Sequence, residues 1–290
     1  TDIRLENLRA ETVTAPGTTI TGAAAPEVTI SDDPVYTRIN AGLVRVAKIE
    51  GGGATLGNLN VAGVRLTIRE GRVEGTSNDV DAGDVTLTKN DTFGDGGTIA
   101  GVKIIKPVFV VEPSGRYRAS ADMSIGGGII GTIPLGNATA GVTVTNESVD
   151  VKNVVAEVMG GNVNGEASIV YSGNRRSSVN AAFSGLELSK LVALQSGRVI
   201  PFEGKADGTM DLSFRGTDVR SASGTIKADI EANAGNEQDG RIPVNGRIEV
   251  AAVEGLVNVE TARLGTEKSQ LTANGRFDLR WTDSDLAIDL

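Results

Sequence analysis

The strongest constraint on this chain is a two-residue alternation of apolar and polar side chains that recurs along its length. It is clearest over residues 204–216, GKADGTMDLSFRG, where Ala206, Gly208, Met210, Leu212 and Phe214 alternate with Lys205, Asp207, Thr209, Asp211, Ser213 and Arg215. Side chains alternate across a β-strand, so this stretch reads as a strand with one apolar and one wet face. It is longer than the usual strand of about five or six residues. Both signs of charge lie on the wet face, so only the apolar face can be covered, and something must cover it.

The same demand recurs. Val64, Leu66 and Ile68 alternate with Arg65, Thr67 and Arg69, and Tyr117, Ala119, Ala121, Met123 and Ile125 do so with Arg118, Ser120, Asp122 and Ser124. Val163, Gly165, Ala167, Ile169 and Tyr171 run into the turn SGNRRSS, after which Val179, Ala181 and Phe183 return, as adjacent antiparallel strands would. Ile226, Ala228, Ile230 and Ala232, then Val244, Gly246, Ile248 and Val250, and the run Leu271, Ala273, Gly275, Phe277, Leu279, Trp281 complete the set. Typical strand and turn lengths predict roughly twenty strands. One segment breaks the period: in LELSKLVAL, residues 186–194, Leu188, Leu191 and Val192 fall at helical spacing, which predicts one short helix that plugs or caps an apolar surface.

Composition narrows the chemistry. The net charge of −9 over 290 residues, with no basic stripe, argues against a nucleic-acid partner. With no histidine and no cysteine, histidine-based triads, thiolate nucleophiles and histidine zinc sites are absent, so neither catalysis nor a cofactor is expected. The Asp/Asn/Gly-rich stretch over 76–97 invites a calcium reading, but it lacks the spacing of a calcium loop and reads as turns. There is no signal peptide and no apolar run near the roughly 20 residues that span a bilayer. Because residue 1 is Thr and the last segment stops in mid-alternation, the chain is expected to be an excerpt of a longer protein.

Two facing sheets, a closed barrel or a curled trough could each cover the apolar faces. Aromatic residues are only 3%, which supplies neither the bulky anchors of a sandwich nor the girdles of a membrane barrel. The expected fold is therefore all-β: an elongated, curled, mostly antiparallel sheet forming a hydrophobic groove, lined with Ala, Val, Ile and Leu. Such a slot suits acyl chains.

Residues 159–232 carry a family resemblance. They hold the glycine pair 160–161 before a strand, the segment LELSKLVAL, and then FEGKADGTMDLSFRGTDVRSASGTIKADIEA. This order of G-x(3)-G strand, G-T turn and S-x-x-G-T-I-x-A-D resembles the AsmA-like and TamB proteins of Gram-negative envelopes. The resemblance covers 159–290 well and 1–158 by pattern alone, which suggests two groove segments with that boundary. It implies a periplasm-spanning bridge for phospholipid transport between the inner and outer membranes, tethered to the inner membrane through a segment outside this chain. The groove wall is then expected to include Ile169, Ala181, Phe183, Met210, Leu212, Phe214, Ile226, Ile230, Ile248, Val250, Leu271, Phe277, Leu279 and Trp281. Two alternatives stand beside it: an assembly factor for outer-membrane barrel proteins, working with a barrel partner, and a structural adhesin or passenger domain.

Overall fold

Alternating sequence gives extended backbone nearly throughout. The computed structural model describes residues 1–290 apart from 16, 90–94, 132, 172–174, 191–201, 233–241, 267–268, 280–283 and 290, with backbone alone at 202, 277 and 284–289. By its contacts the chain divides into two units, Thr1–Asn146 and Glu147–Leu290.

Unit one contains β1 (Asp2–Ala15), β2 (Thr18–Asp32), β3 (Thr37–Gly51), β4 (Ala54–Arg69), β5 (Arg72–Thr76), β6 (Asp79–Leu87), β7 (Gly97–Val111), β8 (Tyr117–Ile125), β9 (Gly127–Ile130) and β10 (Ile133–Thr145). The first four strands form an antiparallel meander. β4 then pairs with β5 at one end and β6 at the other, and β7 collects both. β8 and β9 follow on the far side of β7, and β10 pairs with both.

Unit two contains β11 (Ser148–Val158), β12 (Gly161–Val170), β13 (Arg176–Glu187), β14 (Phe202–Glu203), β15 (Lys205–Arg215), β16 (Asp218–Glu231), β17 (Ile242–Pro243), β18 (Asn245–Val253), β19 (Leu256–Gly265), β20 (Gln270–Asp278) and β21 (Ser284–Asp289). Its sheet runs β11, β12, β13, β15, β16, β18, β19, β20, β21, antiparallel at every step. The two-residue strands β14 and β17 pair in parallel outside that order. Tight hairpins join β11 to β12 through Met159–Gly160 and β18 to β19 through Glu254–Gly255, with φ of 50° and 83° in the first and 49° and 86° in the second. Positive φ at both central residues is what a turn matched to strand twist requires, and glycine supplies it at the second position.

The burial on the apolar face of unit one requires its sheet to curve over that face. On a flat, uncovered sheet, side chains would keep much of their surface in water. Yet Val46, Leu59, Val85 and Val102 are only 8%, 5%, 8% and 4% exposed, packed among side chains of their own sheet such as Ile20, Ile49, Leu56 and Ile99. Bulges provide the bending: register shifts occur at Lys106 in β7 in unit one, and at Asn153 in β11 and Gly185 in β13 in unit two, each with φ near +50° to +70°. Leu59→Ala is therefore expected to cost about 2–5 kcal/mol, the range for a buried leucine. Chemical denaturation measures this; a loss within the noise would mean the concavity is absent.

The helix expected over 186–194 is corrected at its start. Leu186 and Glu187 finish β13, residues 188–190 are helical, and 191–194 lie outside the described residues. The Asp-rich stretch read as turns is in part strand: residues 79–87 form β6, where Asp81 accepts the Gly83 amide at 3.0 Å at a bulge and Asp84 accepts the amide of Gly101 on β7 at 3.3 Å.

Candidate functional site

In unit two the register aligns the apolar positions of successive strands into rows. One row runs Gly165, Ala181, Met210, Ile226, Val250, Val259, Gly275 from β12 to β20. A second runs Val163, Phe183, Gly208, Ala228, Ile248, Ala262, Ala273, and a third Ala167, Val179, Leu212, Gly224, Ala252, Val257. Large residues stand beside small ones for a steric reason. A Cβ on Gly208 would lie 2.6 Å from the Phe183 ring, and one on Gly246 would lie 2.9 Å from Leu264. Bulky side chains thus lean over glycines on the next strand and level the surface.

Most of this wall is neither buried nor free. Ala181, Phe183, Met210, Leu212, Ile226, Ile248 and Val250 are all half-buried, as is Ile169 opposite Val149. A closed core would remove such side chains from water altogether; here they are left as an accessible hydrocarbon surface. Phe214 and Ile230 are more enclosed, at 7% and 3% exposure, Phe214 opposite Ser177 and Ile230 between Ala206 and Gly246. Leu271 is half-buried opposite Leu264. The backbone of Phe277 pairs with Val257 and Ser284, its side chain falling outside the described residues, as does Trp281. Leu279 lies past the end of β20 and is exposed.

Alternation places Val244 on the apolar face but does not show two further things. One is that Leu188 and Val244, just beyond β13 and just before β18, join Leu186, Ala206 and Ile230 in one buried cluster. The other is the parallel contact of β14 with β17, which brings the connections β13–β15 and β16–β18 together. LELSKLVAL signals a capping segment; nothing local signals that Val244 meets it.

The opposite face of the sheet is ionic. Asp229 and Arg247 stand opposite each other with an N–O separation of 3.8 Å, and Lys227 meets Glu249 at 2.5 Å. At the hairpin end of the strands, Arg176 bonds Glu254 at 2.7 Å and Arg215 pairs with the same carboxylate. The hydrogen bond from Arg176 holds the Glu254 carboxyl below its ordinary value, with Arg215 acting in the same direction and desolvation against it. A depressed folded-state pKa contributes stability that is present above the unfolded value and lost as pH falls through the folded one. The acid limb of the stability profile is therefore expected to be shallower in Glu254→Gln than in the wild type. Coincident acid limbs in thermal melts would refute that contribution.

An open apolar wall on one side of a single-layer antiparallel sheet, backed by charge on the other, defines a β-groove protein that offers hydrocarbon to a ligand. The chain belongs to the YdbH-like family, that of the intermembrane phospholipid transport protein YdbH, whose family model matches residues 49–231. This is an AsmA-like, bridge-type family. The matched span takes in strands of both units. No curated protein and no solved structure matches the chain.

Proposed function

We propose that the apolar wall carries the acyl chains of phospholipids between the two membranes of a Gram-negative envelope, with headgroups kept in water. The observation that carries this reading is the half-buried row through Met210, Ile226 and Val250, continuous across neighbouring strands. Burial is worth about 0.8 kcal/mol per methylene. A chain laid along such rows is held well, and the absence of a dominant polar anchor lets it slide. The protein works in the periplasm, tethered to the inner membrane through a segment outside this chain, as the resemblance to AsmA-like proteins implies. Transport of this kind needs no catalytic group.

The test is the lipid content of the purified protein. Native mass spectrometry is expected to find phospholipid that survives purification and is released on unfolding. A protein that stays lipid-free after exposure to phospholipid vesicles would overturn the proposal.

A further inference from the structure

Four strands of unit one share a spacing that simple alternation does not give. In β4, Leu56, Leu59, Val61, Val64 and Leu66 step by three, two, three and two, and β1, β2 and β3 carry the same steps in register with it. Each step of three marks a bend. One line of bends crosses the sheet through Gly22, Ala47, Asn58, Gly83 and Gly101, all but Ala47 with φ between 56° and 66°. A second runs through Asn7, Pro26, Gly42, Gly63, Asn78 and Lys106, with φ of 54°, 64° and 47° at Asn7, Gly63 and Lys106. Because neighbouring strands bend at the same level, their ladders resume in step on either side. A lone bulge bends one strand, but a line of them creases the sheet. Side chains that flank a crease folded toward them converge and shield one another. Of the buried apolar residues described in unit one, all but Leu87 lie within two residues of a crease: Val46, Leu59, Ala82, Val85 and Val102 beside the first, and Ala25, Val28 and Ala41 beside the second.

Between the creases lies a floor two apolar rows wide. The row beside the first crease, Val46, Leu59, Ala82 and Val102, is buried. The other, Val44, Val61, Val80, Ile104 and Met123, runs in unbroken register from β3 to β8 and is half-buried at every position. Rows two residues apart on a strand stand about 6.8 Å apart, and the five strands that carry the open row span about 19 Å. What stays open is a strip one side chain wide. It is longer than the roughly 15 Å that half a bilayer core allots to an acyl chain.

We infer that the floor of unit one seats a single unbranched acyl chain, lying across the strands over Val44, Val61, Val80, Ile104 and Met123, and that it discriminates against methyl-branched chains. This rests on the lipid-carrying reading proposed above. A straight chain has only its own width to place on the strip. A methyl branch projects to one side, where it meets either the shut row of Val46 and Leu59 or the far side of the second crease at Ala41 and Val64. Side chains packed to native density yield room for an added methyl only by shifting their neighbours. The creases thus set the width of what the floor accepts, a selection by shape that needs no polar group.

A phosphatidylcholine with a diazirine in one palmitoyl tail tests this on the intact chain, loaded from vesicles, illuminated and mapped by mass spectrometry. In unit one, label is expected on Val61, Val80, Ile104 and Met123. Unlabelled palmitoyl-oleoyl phosphatidylcholine is expected to displace that label severalfold more effectively than diphytanoyl phosphatidylcholine, which has the same headgroup and methyl branches along both tails. Val46→Ala, which frees space in the shut row beside Val44, is expected to narrow the difference. Equal displacement by the two competitors, or an unchanged preference in the variant, overturns the inference and leaves lipid carriage standing. So does label that reaches Met210 and Ile226 of unit two but no residue of the strip. Label on neither unit removes both.

Discussion

Leu212→Asp is expected to strip the protein of bound phospholipid, while Asp211→Asn, one residue away, leaves occupancy unchanged. Leu212 lies half-buried between Val179 and Gly224 on the apolar wall, whereas Asp211 faces water between Asn180 and Thr225. In the empty protein the new carboxylate keeps enough water to be tolerated. An acyl chain laid over it removes that water, and burying a charge without a partner costs at least several kcal/mol. At about 1.4 kcal/mol per tenfold, occupancy should fall by more than about a hundredfold. Ile248→Glu, between Ala228 and Ala262, should behave as Leu212→Asp does, and Arg247→Gln as Asp211→Asn does. Native mass spectrometry of each variant, folded by circular dichroism, reads the result. Equal losses from the two faces would defeat the groove.

The second large effect is on the fold. A Cβ at Gly208 would sit 2.9 Å from the Ala228 Cα and 2.6 Å from the Phe183 ring, with the Lys227 carbonyl closer still. Phe183 could swing away, but the backbone of β16 could not without opening its ladder with β15. Gly208→Ala is thus an overpacking substitution worth about 3 kcal/mol. For a unit of this size, that is a melting temperature lower by about 6–12 °C. Gly42→Ala is the control, since a Cβ there meets nothing within 4 Å. An exposed substitution of that kind should stay within about 0.5 kcal/mol. If the two variants melt together, close approach at Gly208 is not what requires glycine there.

Much of the architecture is legible in local pattern. Residues 204–216 read as one strand with a wet and an apolar face, and β15 is that strand, with Met210 and Leu212 half-buried on one side and Lys205, Asp207 and Asp211 exposed on the other. Short connections such as that from β12 to β13 announce antiparallel neighbours, and the register bears this out. The pattern misleads where a bulge intervenes. Gly185, at φ +68° with its amide on the Asp207 carboxylate at 2.9 Å, puts both Phe183 and Leu186 on the apolar face. The spacing that reads as helical, Leu188 to Leu191 and Val192, begins only after Leu186, which its pairing with Ala206 keeps in β13.

The sequence by itself determines which face of each strand is apolar, because alternation is a property of the extended backbone and needs no partner. The absence of histidine, cysteine and aromatic bulk likewise leaves an open hydrocarbon surface as the most economical use of so many one-sided strands. The tertiary structure alone decides how deeply each apolar residue lies. Met210 and Ile230 are alike in sequence pattern; one remains half-exposed, and the other is buried in a cluster with Leu186, Leu188, Ala206 and Val244. Burial depends on curvature and register. Those are set by bulges and contacts between residues tens of positions apart, which no local period records.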